Sequence, residues 1–296
     1  MKEQISVLLP VFNDAQFIKR AVDSVLVNSY SNYELIIVND GSTDNSLEII
    51  NSVKDERIKV FNKSNSGLIE TLNYGLKKCN NEIIMRMDGD DEIDKEKISI
   101  QLPYFSNSKS ILLGTGGSII DNKSKFKSLV NVPEDNISIL KKMRKMQPSI
   151  IHASIMFYKD AITKSGSYDE KFNVAEDYEL FYRLSRLGEL SNMNIPLYKI
   201  RKNEENVSVT RSRTQLLNTM IARGLYQDQN LKKVNINDYN HYKEKTKNSM
   251  EFKIIDFLNN KINNSKSGLL KNLCKVLKKI ITITLKWYKW KGIIKY

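Results

Sequence analysis

The chain has 296 residues, 41% of them hydrophobic, which is enough for one large α/β domain plus an appendage. Cys79 and Cys274 lie far apart and set up no disulfide framework, as suits a reducing cytoplasm, and with only His152 and His241 a multi-histidine metal centre is excluded. The net charge of +13 is concentrated: ten lysines fall between Lys261 and Lys295, no Asp or Glu follows Asp256, and about +3 remains for the first 260 residues, a balance that argues against nucleic acid as partner of the body.

Taken in chain order, MKEQISVLLP meets Pro10 and polar residues too early for a signal peptide, and no apolar run approaches the ~18 residues of a membrane span. Strands are expected at 5–9 (ISVLL), 33–38 (YELIIV), 57–61 (RIKVF) and 82–87 (EIIMRM), each nearly continuous in apolar character, as buried parallel strands are. Between the first two, Phe17, Ile18, Ala21, Val22, Val25 and Leu26 mark one helical face, with Asn13 or Asp14 as its cap. Ser42, Thr43 and Asp44 offer a cap for a helix carrying Leu47, Ile50 and Val53, and a third helix over 67–79 carries Leu68, Leu72 and Leu76. This alternation predicts an α/β fold with a doubly wound, mainly parallel sheet flanked by helices. From residue 110 the pattern changes: ILLGTGGSII and PSIIHASIMFY (148–158) read as strands of a mixed sheet around a polar loop bearing Lys123, Lys125 and Lys127. A helix opens near Glu176 and stops at Gly188, PLYKI is a short strand, and the chain beyond Thr210 reads as helical. Residues 1–210 therefore form one expected domain and 211–296 a helical extension.

The chemistry gathers at strand ends. EIIMRMDGDD empties an apolar strand into Asp88, Asp90 and Asp91. Crowded carboxylates raise one another's pKa, and such a cluster of hard oxygen donors suits Mg²⁺ or Mn²⁺, although a solvated acidic turn is the plainer reading of the cluster by itself. The first strand ends PVFND and the second VNDGSTDNS, so Asn13, Asp14 and Asp40 share one edge of the sheet with Asp88. In open α/β sheets ligands bind at that edge, and a fixed polar fringe over an apolar floor suits a nucleobase and ribose.

In order and spacing, PVFN, VNDGSTDNS, NSGLIETLNYGL, MDGDD and HASIMFYKDAITKSGSYDEKFNVAEDYELFYRLSRLG resemble the inverting family 2 glycosyltransferases of the GT-A (Rossmann-like) fold, over residues 4 to about 210. The resemblance implies that Pro10, Val11, Asn13 and Asp40 frame the nucleotide, with Asp40 at the base. It implies that Asp88 meets the ribose and shares the metal with Asp90, that Asp177 is the catalytic base, and that Glu176 shapes the acceptor pocket. His152 and Arg201 correspond to positions near the acceptor or the diphosphate; the family often has a His where Arg201 stands, and KNEENVS is longer than the usual spacing. The activity implied is metal-dependent transfer from a nucleotide sugar, UDP-linked by preference, to a hydroxyl of a lipid-linked or polysaccharide acceptor in cell-surface glycan synthesis. The residues themselves leave alternatives: Glu176 and Asp177 also complement a helix N-terminus, and a histidine on an apolar strand is often a core residue.

Other signatures are missing. There is no GxxxxGK[ST] loop and no GxGxxG after a strand, and MDGDDEID breaks the EF-hand spacing. A nucleotidyltransferase would need a basic, glycine-rich phosphate loop where PVFNDAQF stands. Toward the C-terminus, Leu269, Leu270, Leu273, Val276, Leu277, Ile280, Ile281, Trp287 and Tyr288 form an apolar stripe edged by lysines. As a helix, 269–290 could lie on an anionic membrane at its cytoplasmic face, could dock on the catalytic domain, or could by itself make the chain a peripheral membrane or polyanion-binding protein.

Overall fold

Residues 5 to 11 have no choice but to be interior: Ile5, Val7 and Leu9 are wholly buried and Leu8 and Val11 nearly so, which only a strand covered on both faces allows. This is β1 (Ile5–Val11) of a computed structural model that describes residues 3–202, 212–227, 236–249, 252–254 and 256–257. β2 (Tyr33–Asp40), β3 (Ile58–Lys63) and β4 (Ile83–Arg86) run parallel to it, in the spatial order β3-β2-β1-β4. The chain thus builds outward from β1 to β3, then returns to the other side of β1. That reversal makes a crevice beyond the C-terminal ends of β1 and β4, the place where open α/β sheets bind ligands.

The second half of the sheet is mixed. β8 (Met156–Tyr158) runs antiparallel to β4, and the long β6 (Ser110–Ile120) is antiparallel to β8 and parallel to β9 (Glu189–Arg201). β5 (Glu92–Ile93) closes the order beside β9, and β7 (Phe126–Val130) hairpins onto β6. Two reversals bring the C-terminal end of β9, with Arg201, to the same rim as the ends of β1 and β4.

Helices cover both faces. α1 (Ile18–Leu26) buries Ile18, Ala21, Val22 and Val25, spaced i, i+3, i+4, i+7. Its expected cap is corrected: the N-cap position is Phe17, without a side-chain bond, and the Asp14 carbonyl accepts from the Phe17 and Ile18 N–H groups at 2.8 Å. This frees both polar side chains for the crevice. Likewise α2 (Ser46–Ser52) has Asn45 at its N-cap, while Asp44 accepts from the Ser46 N–H at 3.0 Å. α3 (Leu68–Lys78) follows the expected pattern with Leu72 and Leu76 buried, but Leu68 is exposed. The segment 148–158 is a strand only at its end; His152–Ser154 form a 3-10 turn. Four further helices complete the domain: α4 (Lys97–Ser106), α5 (Asn136–Arg144), α6 (Lys159–Ser165) and α7 (Glu176–Leu184).

One buried acid ties the parallel half together. Glu34 on β2 accepts from Ser6 of β1 (2.6 Å), Lys59 of β3 (2.7 Å), and the Asn80 N–H (2.7 Å) and Asn81 side chain (3.2 Å) ahead of β4. Burial opposes its charge, yet these bonds pull it down to about 2. Replacing it with Ala strands several donors, so Glu34→Ala is expected to cost about 2–3 kcal/mol in urea unfolding at pH 7. Because its folded pKa is depressed, the difference from wild type should shrink as pH falls from above 4.5 toward 2.

The chain divides into two compact units, Met1–Asn206 and Val207–Tyr296. In the second, α8 (Ser212–Gln227) and α9 (Ile236–Asn248) lie against each other. The expected boundary at 210, the KNEENVS segment beyond Lys202 and the lysine-rich 269–290 stretch lie outside the described residues. No helix among the described residues is long and apolar enough to cross a membrane.

Candidate active site

The acidic turn after β4 is held from behind. One carboxylate oxygen from each of Asp88, Asp90 and Asp91 lies within 4.8 Å of the other two. Asp91 is buried and turned inward, accepting from the Arg201 backbone N–H at 2.7 Å, while Asp88 and Asp90 are half-buried at the crevice. Arg201 is wholly buried: its Nε donates to the Asp90 carbonyl at 2.8 Å, its fork reaches the Asp121 carbonyl (2.6 Å) and Glu92, and its plane lies 4.7 Å from the Phe17 ring. The end of β9 is therefore a strut for the turn, which is what this arginine does in place of facing open cleft. Tyr198, on the same strand, accepts from the Asp88 N–H at 3.1 Å.

The carboxyls here resist ionising. Burial first, and then Asp88, push Asp90 up to about 6; burial, then Asp90, push Asp14 up to about 7. Asp14 reaches the cluster because residue 89 is glycine: a Cβ there would stand 2.5 Å from Asp14 Oδ2. Hard oxygen donors converging with excess negative charge are a fitting set for Mg²⁺ or Mn²⁺.

The neighbouring turns are laced to one another. Asn13, in a left-handed conformation at φ 56°, donates its N–H to Ser42 Oγ (3.0 Å) and accepts from the Thr43 N–H (2.8 Å), and the Ala15 N–H reaches Asp44 at 3.0 Å. Pro10 and Val11 form a buried floor beneath them. Asp40, 3% exposed, accepts from the Ser66 (2.9 Å) and Gly67 (2.8 Å) N–H groups and from Lys63, so its carboxylate fixes the loop leading into α3. Gly41 at φ +67° is required, since a Cβ there would meet the Asn65 nitrogen at 2.7 Å.

The start of α7 is linked electrostatically to the same cluster through Arg86 and Asp88. Burial, then Asp177, raise Glu176 to about 7, and burial raises Asp177, whose carboxylate accepts from the Tyr178 N–H at 2.7 Å. Just upstream Val174 has φ 68°, a genuine outlier for a β-branched residue, and such strain gathers at functional sites. His152 bonds Tyr168 Oη at 2.8 Å and packs edge-on to Phe181 at 5.9 Å; burial and then Arg86 hold it neutral, well below its usual range.

Sequence reasoning passed over Arg86. It is 2% exposed, at the end of β4, and grips Asp88 with both terminal nitrogens (3.1 and 2.6 Å). Its signal was available: a lone cation inside EIIMRM has no reason to be in a buried strand unless something anionic meets it. Tyr198 and Tyr168 carried no such signal, because their partners are 110 and 16 residues away.

A pH dependence follows. The raised folded pKa values of Asp14, Asp90 and Glu176 mean that their contribution to stability is complete below about 4 and is lost as pH rises through 6 to 7. The metal-free protein should lose stability to urea over that window, and added Mn²⁺ should remove most of the loss. A flat profile without metal would contradict the like-charge crowding.

Comparison with known proteins places these features in a family. The sequence model for Glycosyl transferase family 2 matches residues 6–166. Chondroitin synthase of Pasteurella multocida (strain Pm70) is 27% identical over 241 residues, 80% of this chain and 24% of that protein, and the O-antigen biosynthesis glycosyltransferase WbnJ of Escherichia coli is 32% identical over 199 residues, 64% of this chain and 74% of WbnJ. The chain thus spans about a quarter of the length of the synthase. Among solved structures, S. aureus TarS 1-349 in complex with UDP-GlcNAc superimposes with a TM-score of 0.65 at 17% identity, over 83% of this chain and 72% of that one, a likeness of fold.

Proposed function

Because the chain belongs to glycosyl transferase family 2, a GT-A glycosyltransferase family, we propose that it moves one sugar, with inversion, from a UDP-sugar to a hydroxyl of a lipid-linked or polysaccharide acceptor in cell-surface glycan synthesis. The observation that carries this reading is the pairing of the Asp88–Asp90 rim with the carboxyls of Glu176 and Asp177 within one domain. Relatives named for chondroitin and O-antigen synthesis support the polysaccharide context, and the UDP complexes of TarS support the donor.

Asp88 and Asp90 would hold Mg²⁺ or Mn²⁺, which when bound neutralises the negative charge growing on a diphosphate leaving group. Pro10, Val11 and Asn13 frame the nucleotide, and Asp40 positions the base, directly or through the 63–67 loop. Asp177 accepts the proton of the attacking hydroxyl; burial raises its pKa, which strengthens it as a base while Arg86 keeps it ionisable. Glu176 and His152 shape the acceptor wall. Arg201 acts from behind, by bracing the turn.

A screen of nucleotide sugars for metal-dependent release of nucleoside diphosphate tests the reading. Release that is independent of metal, or absent with every donor, would end it. We place the enzyme in the cytoplasm, with residues 269–290 carrying it to an anionic membrane surface. Sedimentation with phosphatidylglycerol vesicles, lost when 261–296 are removed, is the expected result.

A further inference from the structure

Between the acidic turn and the head of α7 lies a buried cation, Arg86, whose contacts reach beyond sustaining the charge of Asp177. Arg86 spends its fork on Asp88, and its backbone N–H bonds the Ile155 carbonyl at 2.9 Å, directly after the His152–Ser154 turn. That turn packs on α7 through His152 and Phe181. The charged and titratable groups facing the guanidinium come from five elements: Asp88 and Asp90 after β4, His152 in the 3-10 turn, Tyr168 ahead of α7, Tyr198 on β9, and Glu176 with Asp177 on α7. Its Nε is buried and has no hydrogen-bond partner, an expense that a side chain kept only for packing avoids. Asp88, by contrast, is 32% exposed in its side chain and would stay solvated without the arginine. Stability alone therefore gives little reason for a cation here, since taking a guanidinium out of water costs several kcal/mol.

We propose that Arg86 is a positioning residue of the transfer reaction: it aims Asp88 at the donor with a two-pronged grip and, from the same spot, supplies the positive charge that faces the Glu176–Asp177 pair. Resting on the transferase reading, this makes Arg86 the physical link between the donor-side and acceptor-side carboxylates. It also opposes a metal ion for Asp88. Removing it should thus tighten metal binding while slowing turnover, a pair of effects that loss of structure does not produce.

The test uses the 296-residue chain as Arg86→Met and Arg86→Lys, with Mn²⁺ alone as the binding probe, read by electron paramagnetic resonance. Turnover is read as nucleoside diphosphate release from the donor that the wild type consumes. Arg86→Met is expected to bind Mn²⁺ about threefold or more tightly, because a cation a few ångströms away is gone, and to lose about 100-fold in kcat, the size of a lost preorganised charge. Arg86→Lys keeps the charge without the fork and should leave Mn²⁺ affinity near wild type with kcat in between. Turnover of Arg86→Met within threefold of wild type, or Mn²⁺ affinity falling in step with kcat, overturns the inference. A wild-type chain that binds Mn²⁺ yet consumes no nucleotide sugar would instead sink the transferase reading, and the Mn²⁺ comparison would still decide whether Arg86 opposes the metal.

Discussion

Asp177→Asn should lower sugar transfer by roughly 10²–10⁴-fold, the usual contribution of a positioned general base, while donor binding stays within about threefold of wild type. The substitution is nearly isosteric, and an amide oxygen can still accept the Tyr178 N–H that caps this position at 2.7 Å, so the helix start survives. What disappears is the capacity to take a proton. Since Asp177 sits on α7 and, among the described residues, makes no hydrogen bond to the acidic turn, the nucleotide should not register the change. Calorimetry with UDP and Mn²⁺, beside an acceptor-dependent transfer assay, separates the two effects. Transfer at the wild-type rate would pass the base role to Glu176, whose own raised pKa of about 7 makes it the other group suited to the task.

Asp90→Asn should divide two properties that usually move together. Metal affinity is expected to fall by about 100-fold or more, since even an outer-shell partner commonly costs 10–100-fold, and metal-dependent turnover should fall with it. The metal-free protein should nevertheless become more stable above pH 6. In the wild type, Asp90 ionises there against Asp88 in a partly buried turn, and an amide has no such penalty. Urea unfolding at pH 7.5 without metal, compared with Mn²⁺ titration, measures both. Loss of stability alongside loss of metal binding would show that Asp90 is a structural member of the turn and would remove it from the ligand set.

The parallel half of the sheet was legible because burial on both faces leaves an unmistakable mark: ISVLL and YELIIV have no polar face to hide. The acidic turn was legible for the opposite reason, as three carboxylates have no business at the end of such a strand. Elements whose pattern is mixed were harder to read. α4 carries Pro103 and also buries Lys97 and Gln101, so neither apolar periodicity nor helix propensity announces it. β7 is exposed almost throughout and owes its existence to pairing with β6. The 148–158 run is apolar yet turns at His152, because Ile150 and Ile151 fill space beside Gly114 and Gly117 while only Met156–Tyr158 reach β4. Within the candidate site, residue types were visible and partnerships were not. Asp40 could be singled out by its place after a strand, but not its hold on the 63–67 loop, and Arg201 could be noticed without its commitment to Asp90, Asp91 and Glu92 being apparent.

The brace supplied by Arg201 sets a lower limit on how far the protein can be trimmed from its C-terminus. A version ending at residue 199 would keep almost every strand and the whole carboxylate turn, yet would lose the side chain whose nitrogens hold that turn from beneath. One ending a few residues later would keep it. Crystallographers or enzyme engineers seeking a minimal transferase should therefore cut downstream of position 201, because a form cut sooner keeps its strands but leaves the carboxylate turn without its brace.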